Sequence, residues 1–165
     1  MGHAISAIIV KGSYDKKIAD QFDLVGLGLG FDLTLFHIDT HYTEYWQARL
    51  KTKGFLGVND TPHILFPHEF VISELVYKIT RDRSRVFAVI ATDYFGGIGG
   101  QFANAYKGSQ VIDKNVTSIN EALKVLGIDI LRPNRDEFDT VGLGKHRSTP
   151  DYLDNYGNLT EELGL

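Results

Sequence analysis

The sequence contains no cysteine, which excludes disulfides, thiolate zinc sites and cysteine nucleophiles. A chain without cysteine fits a reducing compartment, and we expect a cytoplasmic protein. Long apolar runs are also lacking: the uncharged stretch around Val25 to Phe31 is glycine-rich and far shorter than the ~20 apolar residues of a membrane-crossing helix. We therefore expect a soluble protein without a membrane partner.

Positive charge is scarce, since 17 Lys and Arg stand against 21 Asp and Glu, giving a formal charge of −4 that is spread along the chain. Nucleic-acid binding relies on a basic face that neutralises phosphates, so this balance disfavours it and gives no attraction to anionic membranes. The apolar share of 43% is that of a globular protein, and 165 residues suffice for one core. We expect one domain covering residues 1–165.

Hydrophobic periodicity predicts several strands. Residues 4–10, 31–38 and 86–91 are apolar and rich in β-branched or aromatic side chains, as buried strands are. Two further strands, 101–106 and 110–112, are joined by a turn in which Gly108 takes a positive φ. Together with residues 86–91 they predict a meander of three antiparallel strands.

Helices are predicted between these strands. Ile72, Leu75, Val76 and Ile79 match the i, i+3, i+4, i+7 spacing of one apolar helix face. Ser118 and Glu121 have the spacing of a capping box, and Asp39 or Thr40 can cap a helix that runs through Leu50. These elements predict an α+β fold, a mostly antiparallel sheet with helices packed on it. The polar segment of about 129–165 is expected to pack loosely.

Four glycines follow the strand at 86–91 within five positions. The stretch Thr92–Gln101 matches neither the dinucleotide fingerprint nor a phosphate-binding P-loop, and the residues after it alternate as in a strand. We therefore favour a bend between strands. A ligand-binding loop remains open as the alternative, because backbone amides can bind anions without a helix. Its candidate residues are Asp93, Tyr94, Gly96, Gly97, Gly99, Gly100 and Gln101.

A metal site is a second possibility. His37, Asp39 and His41 occur at alternate positions, and alternation places side chains on one face of a strand. His63, His68 and Glu69 follow and can complete a ligand shell. Against this, a helix beginning at Asp39 uses that carboxylate as its N-cap and turns His41 away from His37.

Two further groups of residues have both a structural and a functional interpretation. Tyr42, Tyr45 and Trp46 form an aromatic helix face, which packs in the core or, if exposed, contacts a protein partner. The run from Lys145 to Ser148 is a solvated basic turn or a grip for an anion. No Gly-x-Ser-x-Gly elbow is present, so nucleophilic hydrolysis has no support.

These observations lead to two functional hypotheses. The first is a non-catalytic binding or interaction protein, which contacts a protein partner or a second copy of itself and needs no cofactor. The second is a small-molecule-binding protein or an enzyme that uses the glycine-rich stretch, with or without a metal at His37, Asp39 and His41. No catalytic residue is assigned under either hypothesis.

Overall fold

A computed structural model of the chain describes residues 2–96, 98–128 and 136–165. Its strands form one antiparallel sheet with helices packed on it in a single arrangement, so the predicted α+β class is confirmed. In chain order the elements are β1 (Ser6–Lys11), α1 (Lys16–Gln21), β2 (Gly26–Gly28), β3 (Leu33–Ile38), α2 (Thr40–Arg49), α3 (Val71–Thr80), β4 (Val86–Phe95), β5 (Ile98–Lys107), β6 (Gln110–Val111), α4 (Ile119–Val125), α5 (Glu137–Val141) and α6 (Asn155–Glu162). Two short 3-10 helices, Leu143–Lys145 and Asp151–Leu153, lie between α5 and α6.

The sheet has the strand order β2-β3-β1-β4-β5-β6, which places β1 in its interior. Ile8 of β1 lies opposite Phe36 of β3 on one side and Val89 of β4 on the other. The predicted meander is confirmed as β4, β5 and β6, and Gly108 has a φ of 61° in the turn between the last two strands. A Cβ at Gly108 would overlap the backbone oxygen of Arg83, so this turn requires glycine.

Helices cover both faces of the sheet and produce two apolar cores. Ile8 and Val10 point into the core formed with α1, α2, α3 and α6. Ala7 and Ile9 point the other way, into the core formed with α4 and α5. Because side chains alternate along a strand, an interior strand between two helix layers must be apolar at every position, and residues 7–10 are.

The predicted caps lie at the starts of two helices. Asp39 Oδ1 accepts a hydrogen bond from the Tyr42 N–H at 2.7 Å, which fixes the beginning of α2. Ser118 and Glu121 form the complete capping box of α4. The apolar face of α3 is buried as its spacing predicts, and the helix ends at Arg81 in a left-handed conformation.

The C-terminal segment is anchored to the core from Asp136 onward. Leu143, Leu153 and Tyr156 are each at most 2% exposed, and they fix the two 3-10 helices and α6 in place. Residues 129–135 of the segment predicted to be loosely packed lie outside the described residues. In the described part of the chain, no helix has the length and apolar character that crossing a membrane requires.

Candidate functional site

The glycine-rich stretch forms the end of the β4–β5 hairpin. Asp93 pairs with Gly100 and Tyr94 with Gly99, so these two glycines belong to the first residues of β5 and are extended. Gly99 has a φ of 150°, and a Cβ there would overlap the backbone of Asp93 on the facing strand. Glycine is therefore required at position 99 by close backbone approach, whereas Gly96 has a φ of 60° in the turn and no close neighbour at its Cβ position. Gly97 lies outside the described residues.

Two of the polar side chains beside these glycines, Tyr94 and Gln101, have partners within the fold. Gln101 Oε1 accepts from the N–H of Ile119 at 2.9 Å, which ties β5 to the start of α4. Its Nε2 donates to the Tyr94 hydroxyl at 3.2 Å. Asp93 lines a small cleft of about 210 Å³ near the tip of the hairpin, whose described lining includes none of the glycines from Gly96 onward. A ligand at this stretch stays a prediction.

The three candidate metal ligands point in different directions. Asp39 is occupied as the N-cap of α2, whereas His41 is exposed and lies 3.5 Å from the Thr160 hydroxyl of α6. His37 points to the opposite face of the sheet, towards His146. Among the residues that the structure describes, no three histidine, aspartate or glutamate side chains come together in a metal-binding arrangement, and this applies also to His63, His68 and Glu69.

The fold instead brings together three histidines that are far apart in sequence. His37 is 3% exposed and its ring centroid lies 6.4 Å from that of His146. His3 is close enough for its charge to act on His37. The Nδ1 atom of His3 forms a hydrogen bond with the Thr92 hydroxyl at 2.8 Å. Burial, reinforced by the charges of His146 and His3, lowers the pKa of His37 to about 4. No feature of the sequence pairs these positions.

The aromatic face of α2 is covered by α6. Tyr42 is fully buried, and its hydroxyl donates to the carbonyl of Phe22 at 2.6 Å. Tyr45 and Trp46 are half-buried, and the Trp46 indole N–H donates to the Tyr156 hydroxyl at 3.2 Å. Tyr42 is thus part of the core, and only the edges of Tyr45 and Trp46 remain available to a partner.

An open cleft of about 720 Å³ lies between α2 and the loop that leads to α3. This loop, residues 51–70, closes on itself at its ends: Leu56 N–H donates to the His68 carbonyl at 2.7 Å and Phe70 N–H to that of Gly54 at 3.0 Å. Such compact loops with joined ends are frequently functional. The cleft is lined by Thr40, Glu44, Gln47, Ala48, Thr52, Phe55, Pro62, Ile64, Leu65, Phe66, His68, Glu69 and Leu165.

Apolar side chains form most of the cleft wall, and some of them remain largely exposed. Phe55 is 66% exposed, although its ring lies 4.9 Å from that of His68, and Leu65 is 79% exposed, although the next residue, Phe66, is buried. A single exposed apolar residue is ordinary, but several around one concavity are typical of a binding site. Sequence reasoning missed this cleft. The signal in the sequence was a set of apolar residues in a segment without periodicity, namely Phe55, Ile64, Leu65 and Phe66.

Internal hydrogen bonds fix the polar floor of the cleft. Gln47 Oε1 accepts from the Val71 N–H and from the Thr52 hydroxyl, both at 2.8 Å, and its Nε2 donates to the Gly54 carbonyl at 2.7 Å. The buried Thr43 hydroxyl donates to Glu69, which is 8% exposed. These bonds join α2, the loop and the start of α3 into one preformed concave surface.

Comparisons of the chain with protein-family models, curated proteins and solved structures find no match.

Proposed function

We propose that this protein is a non-catalytic binding protein that holds an apolar segment of a protein partner in the cleft between α2 and the loop 51–70. The observation that carries the proposal is the cleft itself, a preformed and mostly apolar concavity of about 720 Å³. Binding clefts have volumes of roughly 300–1,000 Å³ and predominantly apolar walls. The cleft therefore has the size and the chemistry of a binding site.

The exposed side chains of the loop supply the driving force for association. Phe55 and Leu65 each leave more than half of their surface in water. Covering such a side chain completely is worth roughly 1.5–3 kcal/mol relative to leaving it exposed. A partner that covers both residues gains apolar contact without having to reorganise the cleft, because hydrogen bonds already hold its walls.

Two polar groups of the cleft hold its walls together. Gln47 and Thr52 donate and accept hydrogen bonds that join the walls, so they have a structural task. Catalysis by a nucleophile or general base requires that group to be oriented towards the substrate by a neighbour. A cytoplasmic location remains part of the proposal, because a chain without cysteine has no disulfide to form in an oxidising compartment.

Site-specific photocrosslinking in living cells tests this function. A photoreactive amino acid placed at Leu65 should form an adduct with another polypeptide, whereas the same group at Val25, which is 44% exposed, should not. Filling the cleft with the substitution Ala48→Trp should abolish the adduct at Leu65. Equal adducts at both positions, or an adduct that survives Ala48→Trp, would show that the cleft is not the binding site.

A further inference from the structure

The formal charges that line the cleft are negative. Glu44 is exposed on α2, and Glu69, at the end of the loop 51–70, accepts a hydrogen bond from Thr43 of the same helix and is 8% exposed. No lysine or arginine is among the described lining residues. An apolar cleft with carboxylates and without a cation complements a ligand that combines apolar groups with positive charge.

Glu69 is the more informative of the two carboxylates. Its oxygens accept hydrogen bonds from the Thr43 hydroxyl and from the His68 N–H, both of which are neutral donors. Among the ion pairs of the described residues, none includes Glu69. A nearly buried carboxylate without a cation loses hydration and gains no ionic partner in return. A basic group in the cleft would supply that partner.

His68, which precedes Glu69 in the loop 51–70, adds a hydrogen-bond acceptor to the cleft. Its Nδ1 lies 2.8 Å from the carbonyl of Phe66, and because a carbonyl can only accept, Nδ1 carries the proton. In the neutral ring the acceptor is then Nε2. Two donors of the cleft, the Thr52 hydroxyl and the Gln47 amide, already donate to Gln47 Oε1 and to the Gly54 carbonyl, respectively. The cleft therefore offers acceptors to a ligand that brings donors.

We infer that the partner segment presents a lysine or arginine beside its apolar residues, with the apolar residues against Phe55 and Leu65 and the basic group at Glu69 and Glu44. This inference rests on the proposed function and specifies the chemistry of the occupant. A second copy of this chain fits less well, because its net charge of −4 makes two copies repel each other.

Three short amphipathic peptides of equal length test the charge requirement. They share their leucines and carry lysine, glutamine or glutamate at every polar position, and fluorescence anisotropy measures their affinity for the full chain. The lysine peptide should bind roughly tenfold more tightly than the glutamine peptide, and the glutamate peptide more weakly than both. Raising the ionic strength should weaken the binding of the lysine peptide only.

Substitutions locate the binding on the cleft. Glu69→Gln and Glu44→Gln should each weaken the lysine peptide by roughly threefold or more and leave the glutamine peptide unchanged. The control Asp20→Asn removes the same charge from an exposed position of α1 and should change neither affinity. Leu65→Ser should weaken both peptides, whereas Val25→Ser should weaken neither. Glu44→Gln changes an exposed side chain, so it keeps the test valid if Glu69→Gln impairs folding.

Each other outcome contradicts the inference. Equal binding of the lysine and glutamine peptides, with both lost in Leu65→Ser, would refute the basic partner and leave the proposed function intact. Failure of all three peptides to bind in a Leu65-dependent manner would also refute it, and photocrosslinking would then decide on the function. Self-association that disappears in Leu65→Ser would identify a second copy as the occupant, which again refutes it.

Discussion

Acid should weaken this fold through His37, and the substitution His37→Leu should remove that weakness. His37 lies on β3 with 3% of its surface exposed, and its Nδ1 has no hydrogen-bond partner among the described residues. Protonation places a charge in this environment next to His146 and His3, so burial and these neighbours lower the pKa of His37 from 6.5 to about 4. Leucine has a similar volume and does not titrate.

The pKa difference fixes the sign and the size of the effect. Above pH 6.5 His37 is neutral in both the folded and the unfolded chain and contributes no pH dependence. Below pH 6.5 His37 binds a proton in the unfolded chain but stays neutral in the folded chain. Stability is therefore lost as the pH falls from 6.5 towards 4. The loss amounts to about 2 kcal/mol near pH 5 and about 3 kcal/mol at lower pH.

Urea denaturation at about pH 7.5 and at about pH 5 measures this contribution. The free energy of unfolding of the natural protein should fall between these values by about 2 kcal/mol more than that of His37→Leu. Burial also lowers the pKa of His3 and His146, but both remain in the variant and so affect both proteins. His63→Leu replaces an exposed histidine and serves as the control. An equal loss in His37→Leu and the natural protein would refute the assignment.

Three further predictions concern local structure, each measured by urea denaturation. Gly99→Ala places a Cβ against the facing strand at a φ of 150° and should lower the free energy of unfolding by more than about 1 kcal/mol. The control Gly28→Ala places a Cβ in open space and should lower it less. Equal losses in the two variants would contradict the close approach at Gly99. Asp39→Ala removes the N-cap of α2 and should cost about 1 kcal/mol, so an unchanged stability would argue against capping. Thr43→Val removes a hydrogen bond to the nearly buried Glu69 and should cost roughly 1–3 kcal/mol, so an unchanged stability would argue against this hydrogen bond.

The sequence predicted those parts of the fold that depend on local patterns. The capping box at Ser118 and the turn at Gly108 need only neighbouring residues, and both are present. The spacing of Ile72 and Ile79 likewise identified the buried face of α3. The strand at 86–91 extends further than predicted, to Phe95, because the glycines pair with β4 instead of ending the ladder.

The cleft and the histidine group depend on tertiary structure. The loop between Leu50 and Val71 has no periodicity, so only its length and its exposed Phe55 and Leu65 distinguish it from an ordinary connection. His3, His37 and His146 come from three separate segments, and the strand register that brings them together cannot be inferred from their spacing. The alternation of His37, Asp39 and His41 did not predict proximity, because the strand ends at Ile38 and a helix begins.

The position of β1 in the sheet has a consequence for how the chain folds. β2 and β3 are close to β1 in sequence, and β4, β5 and β6 follow one another, but the pairing of Ser6 with Ala91 joins the two groups of strands across about half of the chain. Long-range pairings of this kind raise contact order and slow folding. During synthesis the edge of β1 that pairs with β4 stays unpaired until β4 has been made. This edge, with the apolar residues 7–10, is a site for aggregation until the two strands pair.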